Sequence, residues 1–158
     1  METALFYIMA AVAVAATGFC ITERHPVHAV IYLVTSFFSL AVIFYLLGAP
    51  LVAVFEVIIY AGAIMVLFLF IIMMLRIKGH QGELPTLREW LPALLMAGVV
   101  AAGAAALLVR QQPQALAAVS VKDFSRALFQ RYGAAVELIS LQLLFALVGA
   151  LYLGRREK

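Results

Sequence analysis

The chain has 158 residues, of which 66% are hydrophobic and 12% charged, and its mean hydropathy is +1.11. Apolar runs of this length exclude a soluble globular domain, and the formal charge of +3 lies in connecting segments and the tail, where it reads as an orientation signal and not as a nucleic-acid surface. Cys20, the single cysteine, excludes an internal disulfide and a cysteine cluster.

A bilayer crossing takes about 17 to 25 mostly apolar residues. Five are expected here, Thr3–Thr22, Val27–Leu47, Leu51–Leu75, Leu91–Val109 and Val136–Gly154, so the whole chain, 1–158, reads as one all-α integral membrane domain. The connections are Glu23-Arg24-His25-Pro26, Gly48-Ala49-Pro50, Arg76–Trp90 and Arg110–Ala135. Five spans put the termini on opposite sides. One side then carries Arg24, Arg76, Lys78, Arg88, Arg155, Arg156 and Lys158, the other Arg110, Lys122, Arg126 and Arg131; seven against four favours a cytoplasmic C-terminus and an external N-terminus.

Glu2 is the one charged residue before the first span, without the positive region of a cleaved signal peptide, and bulky Phe19 before Cys20 argues against lipoprotein processing. Ala11, Ala15 and Gly18 give this span a weak small-residue face. The second span opens on Pro26, flanked by His25 and His28 at i, i+3 beside Glu23. That spacing suits two imidazoles on one metal or haem, but the intervening proline marks an ordinary helix start, and no metal is expected.

The third span holds one ionisable group, Glu56, followed by Tyr60 and then Ala61-Gly62-Ala63. A charged residue in mid-membrane costs roughly 2.5 to 3.5 kcal/mol on insertion scales, so it usually faces protein or water and belongs to an ion or proton path. Glu56 lies about seven residues, roughly 10 Å, from the centre of its span, within a hydrocarbon half-thickness of about 15 Å. A carboxyl group there can take up and release protons as its surroundings change, and Tyr60, at i+4, can extend the chain of hydrogen bonds. The alternative is a carboxylate bonded to a neighbouring helix or reaching toward the outer interface. Gly62 between alanines weakens the helix and invites a one-residue π-bulge, which would rotate everything beyond it by about 100°; a close helix crossing at Gly62 is the equal alternative. Met65, Met73 and Met74 read as packing residues and not thioether ligands.

In the fourth span Ala97, Ala101 and Ala105 recur beside Gly98 and Ala102, a face for close backbone approach, within this chain or to a partner. The loop that follows contains Ser120-Val121-Lys122-Asp123, which fits a capping box, then Phe124, Leu128 and Phe129 at helical spacing, with Gly133 as a stop. A short amphipathic helix at the outer interface is expected there, packed on lipid or docked to a partner. Glu137 opens the fifth span, where a first-turn acid ordinarily compensates the helix dipole; it is a secondary candidate for the proton path. No nucleotide-binding loop, catalytic triad or paired-cysteine motif occurs, so the chain has no catalytic residues of its own.

Tyr60-Ala61-Gly62-Ala63-Ile64-Met65-Val66-Leu67-Phe68-Leu69-Phe70, ending in Met73-Met74-Leu75, resembles the signature of the J subunit, or chain 6, of proton-pumping NADH–quinone oxidoreductase, respiratory complex I. Pro26-Val27-His28-Ala29 is similar to that family's Asn-Pro-Val-His-Ala start, with His25 in place of the asparagine. Leu128-Phe129, Tyr132 and Val136-Glu137-Leu138 resemble the entry to its last helix, and Gly154-Arg155-Arg156-Glu157 the end of that helix. The long C-terminal extension of some members is missing.

The resemblance implies a non-catalytic subunit of a proton-translocating enzyme in the bacterial inner membrane. NADH, FMN, iron–sulfur clusters and quinone would be handled by other subunits, and this chain would bind no cofactor. Its partners would be the quinone-site subunit, a small three-helix subunit, the antiporter-like subunits and lipid. Glu56 and Tyr60 would relay protons or couple charge, and Ala61, Gly62 and Ala63 would form a pliable α/π switch that reorients Met65, Val66 and Phe68. Two alternatives stand beside it: the equivalent subunit of a membrane-bound hydrogenase or another quinone-reducing dehydrogenase, and a stand-alone five-helix channel or transporter.

Overall fold

The computed structural model describes residues 2–74, 87–109 and 120–155, and every regular element among them is helical. Five long helices occupy Glu2–Thr22, Pro26–Leu46, Pro50–Met74, Leu87–Val109 and Gly133–Gly154, with a short helix at Val121–Arg126 running on into Ala127–Arg131. Four of the long ones are long and apolar enough to cross a membrane; the fourth contributes a shorter apolar stretch, Leu91–Leu107. Leu75, His80, and the basic residues Arg76, Lys78, Arg110, Arg156 and Lys158 lie outside the described residues.

Local chemistry sets the boundaries. The Glu23 carboxylate accepts the backbone N–H of Arg24 at 3.0 Å and of His25 at 3.2 Å, turning the chain out of the first helix. Pro26 then takes the first turn of the second helix, where its missing N–H is no loss. That helix ends at Gly48, whose φ of 78° only glycine adopts cheaply. Gly48 N–H bonds to Tyr45 O and Ala49 N–H to Phe44 O, the two bonds of a Schellman cap, and Pro50 starts the third helix at once. The fourth and fifth helices begin at Leu87 and Gly133, earlier than the expected Leu91 and Val136, because the backbone ladder does not need apolar side chains to continue.

The chain forms two compact units, Met1–Ala118 and Val119–Lys158. In the first, the second helix is central and buries Val30, Tyr32, Thr35, Ser36, Ser39, Ala41 and Val42. Ser36 Oγ donates to the Ala13 carbonyl at 3.2 Å and lies 3.0 Å from Thr17 Oγ1, a hydroxyl link between the first two helices. Phe19 stacks on Tyr32 with ring centroids 5.6 Å apart. These contacts turn Met9, Ala13 and Ala16 inward, not the expected face of Ala11, Ala15 and Gly18.

The fourth helix likewise packs within the chain through another face. Ala93, Val100 and Gly103 are buried, while Ala97, Ala101 and Ala105 stay exposed. Small residues occur all round this helix, so size alone could not select the packed face. Gly103 marks the close approach: a Cβ there would stand 2.8 Å from Met9 Cε and 3.4 Å from Leu5 Cδ1. Gly103→Leu should therefore destabilise the unit by about 1 to 3 kcal/mol through overpacking, with partial recovery in the Gly103→Leu/Met9→Ala pair. Thermal unfolding in detergent reads both; a melting point unchanged by Gly103→Leu would contradict this packing.

In the second unit Ser120 Oγ accepts the Lys122 N–H at 3.3 Å, the serine half of the expected cap. The short helix turns to π geometry over Ala127–Arg131 and breaks at Tyr132, with φ −116° and ψ 21°; Gly133 is the first residue of the next helix and not a stop. No residue of the Gly133–Gly154 helix is buried.

Candidate functional site at the alpha-to-pi junction of the third helix

The third helix is α from Pro50 to Phe55, π from Glu56 to Ile64 and α again from Met65 to Met74. The bulge expected at Gly62 is thus a nine-residue π segment that starts at the carboxylate itself. Val57-Ile58-Ile59 are β-branched and crowd an α ladder, and Ala61-Gly62-Ala63 resist its widening little. At the far end Met65 N–H points to Tyr60 O, five residues back, and to Gly62 O. Around Gly62 the alternative of a helix crossing fails among the described residues. Apart from the helix backbone within four residues of Gly62, the one described atom within 4 Å of a Cβ placed there is the carbonyl oxygen of Val57, at 3.2 Å, in the same helix.

Ala53, Ala61 and Met65 are the buried residues of this helix. Glu56 and Gly62 are half-buried, and Ala63, Val66 and Phe68 are exposed. Tyr60 is 45% exposed and lays its ring against Phe37 of the second helix, centroids 5.4 Å apart and planes tilted by 40°. Among the described residues no side chain hydrogen-bonds to the Glu56 carboxyl group, so neither the expected Glu56–Tyr60 bond nor the alternative of a bond to a neighbouring helix is formed there.

Beside the π segment lies a cavity of about 590 Å³ between the second, third and fourth helices. Ala61, Met65, Val66 and Leu69 line it from the third helix, and Thr35 is the one hydroxyl in its wall. Sequence periodicity pointed to neither this space nor Phe37, because both depend on how the helices cross.

The remaining candidates stand apart from this arrangement. Glu137 is exposed in the fifth residue of its helix, past the first turn where an acid offsets the dipole, because that helix begins at Gly133. His25 and His28 place their rings 5.6 Å apart at the start of the second helix, as the proline between them suggested. Among the described residues no group of three or more His, Cys, Asp or Glu could hold a metal ion.

Residues 16–153 match the family model described as NADH-ubiquinone/plastoquinone oxidoreductase chain 6. The chain is 40% identical over 161 aligned positions to NADH-quinone oxidoreductase subunit J of Escherichia coli K12, covering 97% of this chain and 86% of that one. Identity to subunit J of Pseudomonas aeruginosa is 38%, with 96% of each chain covered. Subunit J of Rhodobacter capsulatus is 35% identical, over 97% of this chain and 81% of the relative. With the α/π third helix in place and a match along nearly the whole sequence, the chain belongs to the NADH-ubiquinone/plastoquinone oxidoreductase chain 6 family.

Proposed function

We propose that this chain, a membrane-arm subunit of NADH–quinone oxidoreductase, couples quinone reduction to proton translocation by changing the helical register of residues 56–64. It carries no redox centre; NADH, FMN, iron–sulfur clusters and quinone are handled by other subunits. The chain spans the bacterial inner membrane five times as one membrane domain, N-terminus outside and C-terminus cytoplasmic, among the quinone-site, small three-helix and antiporter-like subunits.

The observation that carries the reading is the coincidence of Glu56 with the first residue of the π segment. Pro50 anchors the helix start, so conversion of π to α leaves Glu56 in place and rotates the residues beyond by up to about 100° per residue of register. Tyr60 would then change its position relative to the carboxylate, making or breaking a relay, while Met65, Val66 and Phe68 turn on the far side. Rotation of packed side chains requires free volume, and the cavity adjoins Met65 and Val66. Glu137 is a secondary relay candidate on the fifth helix.

Isolation of the native assembly through a tag on this chain tests the assignment. The isolated complex should oxidise NADH with quinone as acceptor and, in vesicles, move protons. A complex that oxidises hydrogen but not NADH, or a functional homo-oligomer of this chain alone, would overturn it.

A further inference from the structure

The cavity beside the π segment is bounded by residues between Val30 and Phe38 of the second helix, Ala61 and Leu69 of the third, and Ala97 and Ala104 of the fourth, all within the unit Met1–Ala118. Each stretch is centred within three residues of the midpoint of its apolar helix, which puts the cavity near mid-bilayer. Its wall asks for no polar partner. Thr35 carries the one hydroxyl there, and it already donates to the Ile31 carbonyl at 2.9 Å. Phe38, Val66 and Ala101 belong to the wall and are also exposed, so the space opens sideways from between the three helices.

Eight residues of helix rise about 12 Å, and about 590 Å³ spread over that length averages roughly 50 Å² in section, a slot about 8 Å wide. A transmembrane helix, about 10 to 12 Å across with its side chains, is too thick to enter. Yet the slot is several times larger than a cavity of about 150 Å³, which suffices to stay dry and take up benzene. An apolar space left unfilled forfeits dispersion contacts along its whole lining, and the solvent at this depth is hydrocarbon.

We propose that the slot holds the methyl-terminal half of an acyl chain of a membrane phospholipid. A lipid whose headgroup stays at the interface, about 15 Å from the midplane, brings that end of its chain to this depth. The small side chains of Ala97, Ala101 and Ala104 leave room for it on the fourth helix. A fluid chain also yields where a packed side chain would not, so Met65 and Val66 keep space to turn beside it. That last consequence rests on the register change of residues 56–64; the lipid site does not.

The intact complex, isolated through a tag on this chain and reconstituted in phosphatidylethanolamine–phosphatidylglycerol vesicles, tests the site. The probe is a phospholipid with a photo-activated diazirine in the methyl-terminal half of one chain, and adducts are located by peptide mass spectrometry. Adducts are expected on Met65, Val66 and Leu69, with fewer when the diazirine sits beside the headgroup. Ala101→Phe should lower them by about fivefold, because the ring occupies the slot, and Ala101→Leu by less. Ala106→Phe, the same bulk on the opposite side of the fourth helix, should leave them unchanged. Adducts indifferent to Ala101→Phe and Ala101→Leu in assembled complexes would show lipid on the outer surface only and overturn the proposal. So would the absence of adducts on the third helix, as when side chains of another subunit fill the slot. Labelling is read without turnover, so its failure is distinguishable from failure of the coupling assignment.

Discussion

Gly62→Val is expected to lower NADH oxidation coupled to proton uptake about tenfold in an assembled enzyme, since a bias of about 1.4 kcal/mol between two forms changes their ratio tenfold. Gly62→Ala should stay close to wild type. Ala61 and Ala63 already carry a Cβ in the same π ladder, and at position 62 that atom would need the Val57 carbonyl, 3.2 Å away, to yield by only a few tenths of an ångström. Valine adds two γ-methyl groups fixed against the backbone at the one point of the segment where a Cβ already meets the Val57 carbonyl, and this crowding biases the ladder toward one register. Steady-state quinone reduction and proton uptake in proteoliposomes measure the effect. Wild-type rates in Gly62→Val, or an equal loss in Gly62→Ala, would show that backbone freedom at this position is not what matters.

Glu56→Gln is expected to abolish most proton translocation while leaving the complex assembled. Glutamine keeps the shape and hydrogen-bonding reach of glutamate but cannot release a proton, and a positioned acid–base group contributes roughly a hundredfold or more to proton transfer. Tyr60→Phe, which keeps the ring packed on Phe37 and removes only the hydroxyl, should give a smaller loss. Proton uptake per NADH at the wild-type level in an intact Glu56→Gln complex would remove Glu56 from the relay. Loss of assembly instead would mark it as a structural group.

The sequence made the helices legible because hydropathy and the prolines and glycines between the spans act locally: Pro26, Gly48 and Pro50 each end or start a helix through their own backbone. Packing faces were harder to read. In helices as rich in alanine as the first and fourth, nearly every face is small and apolar, and the inward one is chosen by partners distant in sequence, such as Ser36 for Ala13 and Met9 for Gly103. The site was half legible. Glu56 stood out as an expensive carboxyl group and Gly62 as a weak point, but the π segment that joins them depends on the ladder accommodating Val57 to Ile59 as well.

Conversion of register is most directly read in high-resolution structures of the intact assembly, resting and trapped during turnover with NADH and quinone. Residues 56–64 should appear in both forms, with bonds from each N–H to the carbonyl five residues back in one and four residues back in the other. Between them Met65 should rotate by about 100° about the helix axis for each residue of register gained or lost. A π segment unchanged between the two states, with Tyr60 fixed relative to Glu56, would contradict a coupling role for this helix.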